Sequence, residues 1–363
     1  MKIYLVGGAV RDKLLGLTPK ENDWVVVGAT VDDMMKLGYK QVGKDFPVFL
    51  HPETKEEYAL ARTERKVGRG YTGFSFDTSP DVTLEEDLKR RDLTINAIAE
   101  NPDGKLIDPY HGKEDLDKKL LRHVSPAFSE DPVRILRIAR FAARFAELGF
   151  HIAPETTALM KQMVISGEVD ALVAERVWKE LERALAEKHP EEFFFVLADC
   201  DALFALFPEL SAQGPEMNAL IRVTEQSLDP IVRFAALLHG VSEEGIKKIS
   251  ERYRAPSEYR ELALLIARYL PNYQKASQLS AKEILDLLLK LDAFRREDRF
   301  EKFLLASAAS SETSSSAWLK QCLTAAKSID ARAFVDAGIQ GKEIAEKLNE
   351  KRQEAIQKLI RVC

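Results

Sequence analysis

The 363-residue chain has no apolar run approaching the roughly 18–20 residues of a membrane-spanning helix. Its three cysteines, Cys200, Cys322 and Cys363, are isolated and odd in number, which argues against both a disulfide framework and a thiolate metal site. Histidine is scarce too: six in all, with only His189 and His239 after His151. Nor is positive charge in surplus. A formal net charge of -5 argues against a coat of lysine and arginine for non-specific nucleic-acid binding, while leaving room for local basic patches. No signal-peptide pattern precedes the first strand, so a reducing cytoplasm is the expected home. What is present is a globular composition, with enough chain for two or three domains.

The stretch Ile3-Tyr4-Leu5-Val6-Gly7-Gly8-Ala9-Val10-Arg11-Asp12 organises the reading. β-branched and aromatic residues predict a short strand, paired glycines break it, and Ala9–Leu15 starts a helix. Such a turn brings backbone N–H groups and a positive helix end towards an anion, and Arg11 adds a planar fork suited to phosphate. Taken alone, the same pattern fits an ordinary strand–turn–helix join.

Up to about Tyr110, short apolar runs at Ile3–Val6, Trp24–Val27, Val48–Leu50 and Tyr58–Ala61 alternate with helical segments such as Val31–Leu37. This predicts an α+β domain with a small mixed sheet. Lys66–Thr83, rich in glycine and polar residues, reads as a long loop. From Asp131 onward strand signals vanish and helical periods continue, so an all-α region follows. Ser307–Ser316 reads as a loop within it.

In Glu21-Asn22-Asp23-Trp24-Val25-Val26-Val27, strand alternation points Glu21 and Asp23 the same way. Two carboxylates side by side repel unless a cation lies between them, and hard oxygen ligands favour Mg²⁺ or Mn²⁺. A polar loop entering a buried strand would look similar. Glu57, ahead of Tyr58-Ala59-Leu60, offers a third acid on a later strand. Three acids near a phosphate-gripping turn suit two-metal phosphoryl or nucleotidyl transfer.

With Arg90-Arg91-Asp92-Leu93-Thr94-Ile95-Asn96 and Glu130-Asp131-Pro132-Val133-Arg134, these motifs resemble those of the polymerase-β-like nucleotidyltransferases. More specifically, they resemble the class II tRNA nucleotidyltransferases, the CCA-adding enzymes. The likeness is dense from Met1 to about Leu210 and thins beyond, with Ala337-Gly338-Ile339-Gln340-Gly341 its clearest late echo. It implies addition of C, C and A to tRNA from CTP and ATP, with tRNA as partner, no membrane, Mg²⁺ as cofactor and a monomer assumed. Glu21, Asp23 and Glu57 would be catalytic, the first two holding metal. Gly8, Arg11, Arg91, Asp131, Arg134, Arg137 and Arg140 would bind nucleotide, while Asp92 and Asn96 hold the sugar or brace the motif. Asp12 either orients Arg11 or stabilises its own helix. The implied domains are a head at 1–128, a helical neck at 129–210 and a helical body and tail at 211–363. Poly(A) polymerases and partial CC- or A-adding enzymes share the head motifs, and an inactive RNA-binding protein is the rival of another class.

Two departures stand out. The family often has Asp where this chain has Glu21. Many bacterial relatives carry a C-terminal phosphohydrolase with a His-Asp pair; here the corresponding stretch is Leu237-Leu238-His239-Gly240, so that activity is not expected.

Asp131 and Pro132 suit the start of a helix that carries Arg134, Arg137, Arg140 and Arg144 on one flank and apolar residues on the other. A solvated charged face would look alike, but glutamates spaced for i,i+4 pairing are largely missing. The resemblance makes Asp131 and Arg134 a protein template for the base. Cytosine and adenine each offer an amine donor beside a ring-nitrogen acceptor, which a carboxylate and an arginine match, whereas uracil and guanine present the reverse. In Glu175-Arg176-Val177-Trp178, Trp178 reads as core, and Glu175 or Arg176 as support for the template helix. Arg65, Lys66 and Arg69 read as solvated charges or RNA contacts, and Gly338–Lys342 as a turn before the last helix.

Overall fold

The computed structural model describes residues 1–42, 47–66, 74–332, 334 and 339–362. By packing, the chain divides into two units: 1–184 with 192–206, and 185–191 with 207–363.

The first unit opens with β1 (Lys2–Val6), α1 (Gly8–Leu14), β2 (Asp23–Val27), α2 (Val31–Lys36), β3 (Lys40–Gln41), β4 (Val48–Leu50) and β5 (Glu57–Leu60). A hairpin of β6 (Thr63–Lys66) and β7 (Phe74–Asp77) follows, then α3 (Leu84–Lys89), a tight turn at Thr94–Asn96, β8 (Ala99–Glu100) and β9 (Leu106–Ile107). Thr30 caps α2 in a reciprocal box with Asp33, and Thr83 caps α3 likewise with Glu86. One mixed sheet has the order β3-β4-β5-β2-β1-β8-β9, in which β2 and β5 run parallel and the other pairs antiparallel. Alternation along β2 supplies both cores: Val25 packs with Val6, Leu88 and Ala97, while Val26 packs with Met34, Phe49 and Tyr58.

Next come α4 (Gly112–Asp117), β10 (Leu120–Leu121), α5 (Val133–Phe145), β11 (His151–Ile152), α6 (Pro154–Ile165), α7 (Ala174–Leu185), α8 (Glu191–Asp199) and α9 (Ala202–Leu206). Gly112 admits no side chain, since a Cβ there would collide with the Thr94 carbonyl. The close approach seats α4 under the Thr94–Asn96 turn.

The second unit contains α10 (Pro215–Thr224), α11 (Pro230–Leu237), α12 (Glu243–Arg252), α13 (Ser257–Gln274), α14 (Ala281–Lys290), α15 (Glu297–Ala309), α16 (Ser316–Lys327) and α17 (Lys342–Val362). Around α11 pack α10, α13 and α15, and α17 lies against α14 and α16. No helix among the described residues is long and apolar enough to cross a membrane.

The expected α+β head followed by helices is what the chain forms, with local corrections. Strand β7 lies inside the stretch read as loop, because pairing with β6 overrides its glycine and polar content. A strand also persists past Asp131: β11 pairs in parallel with β10. Ser307–Ala309 continue α15, so that loop is shorter than expected. Arg69, Ala337, Gly338 and Cys363 lie outside the described residues.

Candidate active site

Strand register assembles the acids. Across neighbouring strands Glu57 faces Asp23, Asp23 faces Val6, and Val6 faces Ala99. The Gly7–Gly8 turn therefore leaves the sheet at the same end as both carboxylates. Gly7 adopts φ 69°, open to glycine, and donates its N–H to the Ile98 carbonyl at 3.2 Å. Glu56 confirms the alternation: it faces the other way, accepting from Asn22 at 2.7 Å and Trp24 at 3.2 Å. Glu21 lies in the bend before β2 rather than in the strand as expected, yet its charge still reaches Asp23. Although solvent touches Asp23, dense surroundings push its carboxyl up; Arg91 opposes this and Glu21 adds to it. A cation would relieve that cost.

Among the described residues no group of three or more metal-ligating side chains converges. A hard divalent cation can bind through one or two carboxylates together with substrate phosphates and water. Asp23, with Glu21 just ahead of it and Glu57 across from it in register, offers carboxylates of that kind.

Arg91 arches over the glycine turn. A Cβ on Gly7 would lie 2.8 Å from its Nη1 and would push the guanidinium aside. Its Nη2 donates to Asp87 at 3.2 Å, while its buried Nε meets no acceptor among the described residues. Arg11 differs from expectation. Its side chain is buried, with Nε on Asp12 at 2.8 Å and Nη1 on Asn96 at 2.5 Å, beside Phe141 and Phe145. It lies behind the turn and presents no fork to solvent. Asp12 does orient Arg11, the alternative the sequence left open. Asp92 and Asn96 both bond inward: Asn96 donates to Asp92 at 2.9 Å, and Arg137 Nε donates to Asp92 at 2.8 Å. Burial would raise the Asp92 pKa, but Arg137, Asn96 and Arg134 outweigh it and hold the carboxyl well below its usual range.

Helix α5 corrects the picture of a free arginine row. Pro132 occupies its N-cap position, and Asp131, one residue earlier, accepts from Val133 N–H at 3.2 Å. Each arginine has a partner from elsewhere in the fold, which is why local i,i+4 glutamates are missing. Arg134 is buried, donating to the carbonyls of Ala127 at 3.0 Å and Arg90 at 2.6 Å. Arg140 pairs with buried Glu180 at 2.6 Å, and Arg144 with Asp12 at 2.9 Å. Asp131 receives a two-pronged bridge from Arg176, at 2.9 and 2.7 Å. Both groups expected to read the base thus have protein partners in this state.

Sequence reasoning missed Glu180, Asp87 and Glu64. Asp87 and Glu64 hold Arg90 at 2.7 and 2.8 Å, tying α3 to β6. The i,i+4 spacing of Arg176 and Glu180 on α7 was a readable signal: it places opposite charges on one helix face.

Comparison with known proteins follows this geometry. Residues 3–122 match the Poly A polymerase head domain, and residues 149–213 match the "Probable RNA and SrmB- binding site of polymerase A". A CCA-adding enzyme of Coxiella burnetii is 54% identical over 362 residues, 99% of this chain and 96% of its own length. A CCA-adding enzyme solved with CTP superposes with a TM-score of 0.75 at 26% identity, covering 98% of this chain and 87% of that one. The Thermotoga maritima CCA-adding enzyme complexed with tRNA gives a TM-score of 0.73 at 25% identity, over 99% and 91% of the two chains. Whole-length identity of this order, over a head whose acids and glycine turn share one sheet end, shows that the chain belongs to the CCA-adding enzymes, tRNA nucleotidyltransferases of the polymerase-β-like superfamily.

Proposed function

We propose that this chain adds C, C and A to the 3′ end of tRNA, taking CMP and AMP units from CTP and ATP and releasing pyrophosphate. The observation that carries the reading is the register row Glu57–Asp23–Val6, which puts two carboxylates beside the Gly7–Gly8 turn. The tRNA 3′-hydroxyl attacks the α-phosphate, the new phosphodiester forms, and the bond to pyrophosphate breaks. Asp23 and Glu21, with Glu57 beside them, hold a divalent cation, here taken as Mg²⁺. When bound, it stabilises charge on the attacking and leaving oxygens. Gly8 and the turn's backbone lie against the triphosphate, and the Arg91 guanidinium, whose Nη1 lies over Gly7, reaches it directly. Arg11 and Arg140 act from behind as buried charges, and half-buried Arg137 braces Asp92.

For base choice, Asp131 exchanges the Arg176 bridge, and Arg134 its carbonyls, for the pairing edge of cytosine or adenine. Uracil or guanine would leave those groups unpaired, at roughly 1–3 kcal/mol each. The neck is residues 129–210 and the body 211–363, where tRNA is held through phosphates and shape more than sequence. A reducing cytoplasm fits the isolated thiols, and the working form is a monomer.

The test is a single incubation of the protein with tRNA trimmed of its CCA end, Mg²⁺ and labelled CTP and ATP. Growth by three nucleotides ending in A is expected. Long adenylate tails would favour a poly(A) polymerase, and arrest after CC a partial enzyme. No extension at all would leave an RNA-binding protein.

A further inference from the structure

Asp12, buried behind the glycine turn, holds two guanidinium groups at once. Its Oδ1 accepts from Arg11 Nε at 2.8 Å and lies 2.7 Å from Arg11 Nη2, while its Oδ2 accepts from Arg144 Nη2 at 2.9 Å. The side chains of Arg11 and Asp12 are each 4% exposed, and that of Arg144 23%. Both cations also lie near the Phe145 ring, at 5.0 Å for Arg11 and 5.2 Å for Arg144.

Two cations thus share one anion. The other hydrogen-bond partner of Arg11, Asn96, is neutral, and Asp92 is already paired with Arg137. One positive charge is left over in a site with little water to screen it. It lies directly behind Gly8, where a Cβ would stand 3.4 Å from Arg11 Nη2.

We infer that Arg144 is a positioning residue for the nucleotide's polyphosphate: by taking half of Asp12, it leaves the charge of Arg11 uncompensated behind the Gly7–Gly8 turn. A neutral residue at 144 would let Asp12 cancel Arg11, and the field at the turn would collapse. This rests on the turn being the triphosphate site. The competing account is mechanical, with Arg144 simply fastening α5 to α1.

The two accounts separate in full-length Arg144→Gln and Arg144→Lys proteins, assayed for CTP and ATP incorporation, inhibition by inorganic pyrophosphate, and thermal unfolding. For Arg144→Gln, KM for both nucleotides and Ki for pyrophosphate should rise about tenfold, the size of one partly screened charge. Its kcat and its preference for CTP over UTP should stay within about twofold of the parent. Arg144→Lys restores the charge without the fork, and should bind pyrophosphate within about twofold of the parent. A folded Arg144→Gln protein with unchanged Ki, or a lysine variant that loses as much as the glutamine one, overturns the inference. If Arg144→Gln does not fold, Arg144→Lys alone decides, and a tenfold loss there counts against it. Failure of pyrophosphate to compete with CTP in the parent protein would instead remove the triphosphate reading itself, and this inference with it.

Discussion

At the scale of single residues, Asp23 sets function against stability. Crowded surroundings, with Glu21 beside it, hold its folded pKa above that of the unfolded chain, so its ionisation works against folding. Stability contributed by the neutral form is complete below the unfolded carboxylate range and is lost as pH rises through the folded value. Asp23→Asn carries no charge at any pH. It should raise the Tm of the metal-free protein at pH 7 while cutting incorporation of both CMP and AMP by about 10³-fold or more. Near-normal rates with Mg²⁺ would remove Asp23 from the metal site. Glu21→Asp, which restores the commoner family residue, should be mild by comparison.

Asp131 yields a second residue-scale prediction. Asparagine still caps a helix but can offer a donor where the carboxylate accepted. Asp131→Asn should therefore relax CTP:UTP discrimination about ten- to a hundredfold, the worth of one charge-assisted hydrogen bond. Loss of the Arg176 bridge lowers stability as well, so selectivity must be read well below Tm. Unchanged preference in a folded variant would leave Asp131 as a cap and a bridge only.

At the scale of elements, α7 is the clamp on the site. Arg176 grips Asp131 and, one turn on, Glu180 takes Arg140. Glu180→Gln removes the anion from a buried pair and should cost roughly 3 kcal/mol in urea unfolding, with Lys179→Gln, at an exposed position of the same helix, as a control expected to cost far less. What the sequence made legible here was the local part. The glycine turn, β2 and the α5 periodicity all rest on residues a few positions apart. The pairing of Glu57 with Asp23 was not legible, because strand order is a tertiary fact. Arg11 misled for the same reason: its position suits a phosphate ligand, and only the ring pair Phe141 and Phe145, brought in from α5, shows that it points inward. The arginine flank was visible, but its partners Asp12, Asp92 and Glu180 are 132, 45 and 40 residues away from the arginines they bind.

At the scale of the whole molecule, the elements of the second unit are all helices among the described residues. His239 Nδ1 lies 2.9 Å from the Ala236 carbonyl and is followed by Gly240, so no carboxylate adjoins it in sequence. Purified protein should hydrolyse neither phosphodiester nor phosphomonoester substrates with added Ni²⁺ or Mg²⁺. Turnover that His239→Ala abolishes would contradict this. The long reach of the ion pairs has a consequence for how the protein is made. Asp12 leaves the ribosome near the start of synthesis, but Arg144 follows 132 residues later, a delay of roughly 7–26 s at about 5–20 residues per second. Until then the nascent head carries the Arg11–Asp12 pair without Arg144, and Asp92 without Arg137. A chain stalled with only residues 1–122 outside the tunnel should be digested throughout by protease, whereas one stalled with residue 206 exposed should resist, so the catalytic head matures only after the helices that follow it have been translated.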